Sequence, residues 1–151
     1  MTRALADRLL AGWCAAAAVG IAIYWATWFS TAHTQPWLPT GYVTHERVFI
    51  FTDIPMALLL AATAVLLVRG SSRAAPLALF TGGTLAFLGV IDTAYFAQNA
   101  MFDPAHDGVA NLFIVGVVLA LAITLVLYVT NSRGGRAARL HGVTAPQRER
   151  P

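Results

Sequence analysis

The sequence predicts an all-α integral membrane protein, an antiparallel four-helix bundle with both termini in the cytoplasm. Composition is the first reason, because 58% of the 151 residues are hydrophobic and only 11% are charged, whereas soluble proteins carry about 25% charged residues. The second reason is a set of four apolar runs, each long enough as a helix to cross a bilayer core of about 30 Å. The third is the placement of arginine around those runs, which favours one orientation.

The four predicted spans form one transmembrane domain over residues 1–130. They cover residues 9–30, 48–68, 76–96 and 109–129. The first run is longer than the apolar region of a signal peptide, about 7–15 residues, and its late aromatic residues suit a membrane interface. Residues 131–151 contain five arginines and too little apolar material for a core, so we expect a disordered basic tail in the cytoplasm.

The second span contains two residues that are unusual in a membrane helix, Asp53 and Pro55. On insertion scales a carboxylate at the centre of a span costs about 2.5–3.5 kcal/mol. Pro55 has no backbone N–H and leaves the carbonyl of Phe51 without its helical donor. An acid beside such a kink needs a partner inside the bundle. The segment before this span is predicted to be a polar loop over residues 31–46, with Thr44 as the N-cap of the helix.

The links to the third and fourth spans carry local start signals. Residues 69–75 form a short basic link, which makes spans two and three antiparallel neighbours. Pro76 suits the first turn of the third helix, where a missing N–H costs nothing. Asp103 and Pro104 are typical of an N-cap followed by a first helical residue, and they predict the start of the fourth helix.

Small residues recur at every fourth position in two spans. They are Gly12, Ala16 and Gly20 in the first span, and Gly116, Ala120 and Thr124 in the fourth. This spacing lets two membrane helices approach closely. We interpret both faces as packing surfaces within the bundle, with a homo-oligomer as the alternative.

Arginine placement sets the predicted orientation. Nine of the ten basic residues, all arginine, lie before the first span, in the link between spans two and three, or in the tail. The positive-inside rule puts these segments in the cytoplasm. The lack of lysine suggests a GC-rich bacterial genome, so we expect a multi-pass protein of the bacterial plasma membrane. The net charge of +3 does not indicate nucleic-acid binding, since the arginines flank apolar spans.

Two carboxylates are predicted to lie at the same depth. Because spans two and three run in opposite directions, Asp53 and Asp92 both fall in the outer third of the membrane. Glu46 precedes Asp53 by seven residues and therefore shares its helical face. The sequence thus places three acids in one outward-facing zone.

These positions predict an intramembrane pocket of acidic and aromatic residues. Glu46, Asp53 and Asp92 are its candidate catalytic residues, because neighbouring carboxylates in a low dielectric do not both ionise easily and one keeps a transferable proton. The candidate ligand-binding residues lie at similar height: Tyr24, Trp25, Trp28, Tyr95, Asn99 and Asn111. The alternative is structural, with each aspartate bonded to a neighbouring polar residue and joining two helices.

The predicted function is binding of a lipid-soluble small molecule, or its acid-base processing by an isomerase-like or cyclase-like reaction. An accessory or transport subunit of a larger membrane complex is the alternative. Transport would need a continuous polar track, and the inner halves of spans two and three contain no ionisable residue. The expected partners are the lipid bilayer, an apolar ligand, and a membrane partner or second copy, with no nucleic acid.

No metal or cofactor is predicted. His33, His45 and His106 occur near several acids in the outer segments, and they leave metal binding open. No HExxH or paired-cysteine spacing supports such a site. The single cysteine, Cys14, excludes an internal disulfide.

Overall fold

The computed structural model of this protein describes the backbone of residues 2–141 and the side chains of residues 2–131. It contains four helices: α1 Arg3–Ser30, α2 Tyr42–Val68, α3 Ala74–Gln98 and α4 Gly108–His141. Each helix is long and apolar enough to cross a membrane. The all-helical, four-span part of the prediction is therefore confirmed.

The start of α2 lies earlier than the sequence predicts. Its N-cap is Gly41 and not Thr44. Gly41 has a φ of 83°, in the left-handed region, and its carbonyl accepts a hydrogen bond from the N–H of His45 at 2.9 Å. Glycine adopts this conformation without a steric penalty. The helix therefore begins at Tyr42, inside the predicted loop of residues 31–46. As a result Glu46 lies in the first turns of a helix.

The fourth helix starts within one residue of its predicted span but ends twelve residues later. Asp103 begins a separate turn, in which its carboxylate accepts a hydrogen bond from the N–H of Ala105 at 2.9 Å, and the helix itself starts at Gly108. At the other end α4 reaches His141, into the predicted tail, since a helix lengthens at an existing end without new nucleation. Residues 142–151 lie outside the described residues, and a disordered tail stays a prediction.

A tight turn joins α2 to α3. Gly70 has a φ of 60° and donates a hydrogen bond to the carbonyl of Leu67 at 3.1 Å, while the N–H of Ser71 bonds to the carbonyl of Leu66 at 3.0 Å. This pair of bonds is a Schellman motif, which satisfies the last carbonyls of a helix. We call this end of the bundle, which also holds the N-terminus, the termini end. The opposite end, with the other two links, is the loop end.

The bundle consists of two helical hairpins. α1 packs along α2 and α3 along α4, whereas α2 and α3 touch less extensively and α1 and α4 touch least. Fully buried side chains lie from the middle of the bundle towards the termini end: Met56, Leu60, Leu121, Leu125 and Val129. Lipid tails are as apolar as these side chains, so close packing between helices stabilises the bundle more than exclusion of water does.

Two glycines of α3 allow α4 to approach closely. A Cβ added at Gly82 would lie 3.0 Å from the Cβ of Leu125 and 3.1 Å from the backbone oxygen of Ala122. A Cβ added at Gly89 would lie 2.7 Å from a methyl group of Leu119. The second hairpin is therefore built around contacts that only glycine permits without a shift.

The prediction that the small-residue faces of the first and fourth spans pack within the bundle is wrong. Gly12, Ala16 and Gly20 are exposed on α1, and nothing lies within 4 Å of a Cβ added at either glycine. Gly116 and Ala120 are likewise exposed on α4. Four-residue spacing places residues on one face but does not say which way that face points.

Candidate functional site

The positions of Asp53 and Asp92 along their helices can be compared by measuring from a polar contact deeper in the bundle. The hydroxyls of Thr63 on α2 and Thr81 on α3 are fully buried and 3.0 Å apart. Asp53 is ten residues from Thr63, and Asp92 is eleven from Thr81, both towards the loop end, so they lie about 15 and 16.5 Å along their helices from this contact. The two carboxylates are therefore at nearly the same level on neighbouring helices.

Glu46 is the most deeply buried acid among the described residues, with 8% of its surface exposed. Its Oε2 accepts a hydrogen bond from the hydroxyl of Tyr24, on α1, at 3.0 Å. No described residue donates to its Oε1. One oxygen of Glu46 thus joins α2 to α1, and the other is available to a further donor.

Asp53 is half-buried on the same helix. Its Oδ2 accepts a hydrogen bond from Nε1 of Trp25, at 3.0 Å. Trp25 is 5% exposed and meets the ring of Tyr24 edge to face, with ring centroids 5.3 Å apart. Consecutive residues of α1 therefore supply the donors to both acids of α2, which explains why Glu46 and Asp53 face the same neighbour.

Asp92 differs from the other two acids, since no described residue donates a hydrogen bond to it. It is half-buried on α3, four residues beyond the buried Leu88 and so on the same face. Its carboxylate interacts electrostatically with those of Asp53 and Glu46. Three acids from two helices thus share one region, which we call the acid cluster.

No arginine forms an ion pair with the acid cluster within the described part of the chain, and the basic group that interacts electrostatically with it is His33, through Glu46. The ion pair found there joins His106 to Asp103 at 3.5 Å, in the link between α3 and α4. Arg47, which follows Glu46, is exposed. An ionised carboxylate without a partner is costly in a low-dielectric environment. The protonated form of a carboxyl group avoids this cost.

Aromatic rings surround the acid cluster on its loop-end side. Trp28 packs on Trp25 at 5.4 Å and stacks on His33 at 4.4 Å between ring centroids. Between α2 and α3, His45 stacks on Tyr95, with centroids 3.7 Å apart and an interplanar angle of 9°. Four of the six predicted ligand-binding residues thus lie in this aromatic frame, and His45 joins them.

The two predicted asparagines serve the backbone instead. The amide of Asn99, which caps the end of α3, donates to the carbonyl of Tyr95 at 2.8 Å. The amide of Asn111 donates to the carbonyl of Met101 at 2.8 Å and so holds the α3–α4 link against α4. Asn99 lies at the end of α3 and Asn111 in the first turn of α4, so both amides fix the backbone where a helix meets the link. Their ligand-binding role stays a prediction without support from these contacts.

Two adjoining cavities open at the loop end. Their volumes are about 280 and 250 Å³, and both are lined by Tyr42 and part of the α1–α2 link. We call the smaller one the loop-end pocket; its walls include Tyr24, Trp28 and Asp107. Because Tyr24 also donates to Glu46, the loop-end pocket lies directly beside the acid cluster.

The three histidines with described side chains lie against different neighbours. His33 lies on Trp28, His45 lies on Tyr95, and His106 lies near Trp37 with ring centroids 5.4 Å apart. Within the residues that the structure describes, no group of three or more His, Cys, Asp or Glu side chains is placed to hold a metal ion.

Sequence reasoning missed Tyr42, which lies one helical turn before Glu46 and interacts with Tyr24 and Trp28. Its four-residue spacing from Glu46 is a usable signal, hidden by the assumption that this segment is a loop.

Taken together, the geometry provides one unrestrained carboxyl group beside two restrained ones, an arrangement suited to proton transfer. No family model, curated protein or solved structure matches this chain.

Proposed function

We propose that this protein binds a lipid-soluble small molecule between its helices at the loop end and acts on it by acid-base chemistry, as an isomerase or cyclase does. The unequal environment of three neighbouring carboxylates carries the proposal. Tyr24 and Trp25 restrain Glu46 and Asp53, whereas Asp92 has no donor among the described residues. A carboxyl group beside other acids, without a fixed partner, can exchange a proton with a ligand.

Each acid has a distinct role in this proposal. Asp92 transfers the proton, because its oxygens are not engaged by any described donor. Asp53 and Glu46 set the electrostatic field at Asp92 and are held at fixed positions by α1. Trp25 and Trp28 are buried and provide an apolar wall for the ligand.

The proposal includes a location in a bacterial plasma membrane, with both termini in the cytoplasm. Arginine placement supports this orientation, because the short α2–α3 link and both terminal segments carry nine of the ten arginines. The acid cluster then opens towards the outside. A ligand would reach it from the outer leaflet or the outer solution.

Mass spectrometry of molecules that co-purify with the protein from its native membranes tests this function. We expect the wild type to retain one apolar molecule together with its reaction product. Asp92→Asn keeps the shape and polarity of the side chain but removes proton exchange, so this variant should accumulate the unconverted molecule. Asp103→Asn is the matched control, since Asp103 lies in the α3–α4 link, and it should behave as wild type. Equal conversion by Asp92→Asn, or no enriched molecule in any sample, contradicts the proposal.

A second candidate is an accessory subunit that associates through its outer surface. The exposed small residues on α1, Gly12, Ala16 and Gly20, favour it because such a face allows close approach of another helix. Gly12→Leu should then weaken association in native gel electrophoresis without unfolding the bundle, and unchanged mobility would count against this role. A transport path receives no support, since the fully buried Thr63 and Thr81 bond to each other within an otherwise apolar core.

A further inference from the structure

The loop-end pocket gives a reason to name the chemical class of the ligand. No arginine is paired with the acid cluster within the described residues, and the chain contains no lysine; the one basic side chain in the pocket wall, His33, faces three carboxylates of the cluster through its interaction with Glu46. Near the pocket, Asp107 is exposed at the rim and adds another carboxylate. An anionic ligand would be repelled here, whereas a cation would be attracted.

The walls of the pocket suit an ammonium group. Tyr24, Trp28, Trp37 and Tyr42 contribute aromatic surface, and aromatic faces attract organic cations. The volume of about 250 Å³ is below the usual range for a whole drug-sized ligand, roughly 300–1,000 Å³. The pocket is therefore the right size for a head group, with an apolar remainder left to the membrane.

One donor in the pocket wall lacks a partner. Trp28 is 6% exposed, and its buried indole N–H makes no hydrogen bond to any described residue in good geometry, although the Tyr42 hydroxyl lies nearby. A buried donor left unpaired destabilises the folded protein. An acceptor oxygen on the ligand would satisfy it, while a nitrogen on the same ligand would lie on the side of Tyr24, behind which Glu46 is placed.

We propose that the loop-end pocket binds the head group of an amphiphilic amino alcohol, with the ammonium nitrogen facing Glu46 and the oxygen accepting from Trp28. This inference rests on the proposed function, because it names the ligand class of the same site. Asp107 lines the pocket itself, and Glu46 adds negative charge behind the wall through its contact with Tyr24. Trp28 selects for an oxygen placed close to the nitrogen.

The test compares 2-(hexylamino)ethanol with 2-(hexyloxy)ethanol on the full chain in lipid nanodiscs. The two probes have the same length, and only the first carries a positive charge near neutral pH. We expect the amine to bind at least tenfold more tightly, measured by titration calorimetry. Glu46→Gln, which keeps an acceptor for Tyr24, should lower amine affinity at least tenfold. Trp28→Phe should lower it several-fold, and Asp103→Asn should leave it unchanged.

The outcomes separate this inference from the proposed function. If the ether binds as tightly as the amine and Glu46→Gln changes neither, the amino-alcohol class is overturned while small-molecule binding stands. If the amine binds tightly but Trp28→Phe has no effect, the oxygen-recognition half of the proposal is overturned. If neither probe binds the wild type, the ligand class is wrong, and the co-purification experiment alone decides the proposed function.

Discussion

The bond between Trp25 and Asp53 offers the sharpest test of the geometry that joins the two helices of the first hairpin. Replacing Trp25 with phenylalanine removes the indole N–H but keeps an aromatic ring in a site that is 5% exposed. Replacing Asp53 with leucine removes the acceptor. Each single change has further effects, because phenylalanine is smaller and leucine also removes a half-buried acid. A double-mutant cycle cancels those effects and isolates the pair.

The expected coupling energy follows from the geometry and the solvent. A hydrogen bond to a charged group contributes about 1.5–3 kcal/mol in water-soluble proteins. Interhelical bonds within membranes average about 0.6 kcal/mol and reach about 1.7. The Trp25–Asp53 bond is direct, at 3.0 Å, but both groups lie in spanning helices, so the membrane values apply. We expect about 1 kcal/mol.

The measurement is reversible unfolding in mixed micelles, followed by far-UV circular dichroism so that the lost tryptophan does not affect the signal. Asp53→Leu alone has a small net effect, because the lost bond is offset by removal of a costly acid. A coupling energy below about 0.3 kcal/mol, the usual limit of additivity, would show that Trp25 does not hold Asp53. The placement of α1 against α2 would then need to be redrawn.

Three further predictions concern the bundle. Gly82→Ala should destabilise the protein by about 1–3 kcal/mol, since the added Cβ meets Leu125. The neighbouring Gly83→Ala is the control and should be neutral or slightly stabilising, because its added Cβ meets nothing within 4 Å. Equal effects of the two substitutions in the same unfolding assay would contradict the α3–α4 contact. Thr63→Val should cost about 1 kcal/mol or less through loss of its buried interhelical bond, and a larger loss would indicate an additional partner. In a cysteine-free background, a cysteine at Ala105 should react with an impermeant maleimide from outside intact cells and one at Ser72 should not; labelling of Ser72 would reverse the proposed orientation.

Most of the fold could be predicted from the sequence, because the apolar interior of a membrane restricts the structures that a spanning segment can form. Each apolar run must form a helix that satisfies its own backbone, and four such runs account for the four helices. The level of Asp53 and Asp92 was readable for a related reason, since rise per residue is constant in a helix. Helix ends were predicted less well. At α2, one glycine with a left-handed backbone, Gly41, is the N-cap in place of the predicted Thr44.

The rotation of each helix could not be read from the sequence. Tyr24 and Trp25 were recognised as aromatic residues near the acids, but their role as donors depends on which way α1 turns towards α2. The same uncertainty explains the error over Gly12 and Gly20, which face outwards. In a water-soluble protein, hydrophobicity would mark the inner face. In a membrane both faces are apolar, so this signal is weak.

The acid cluster lies across the contact between the two helical hairpins. Glu46 and Asp53 belong to the first hairpin, and Asp92 belongs to the second, while the contact between α2 and α3 is less extensive than the contacts within each hairpin. A small rocking of one hairpin against the other would change the separation between the acids without breaking either hairpin. The electrostatic repulsion among three carboxylates would then rise or fall with that motion. With such a motion, protonation and hairpin angle would be coupled, and uptake of a single proton or cation would draw the two hairpins together.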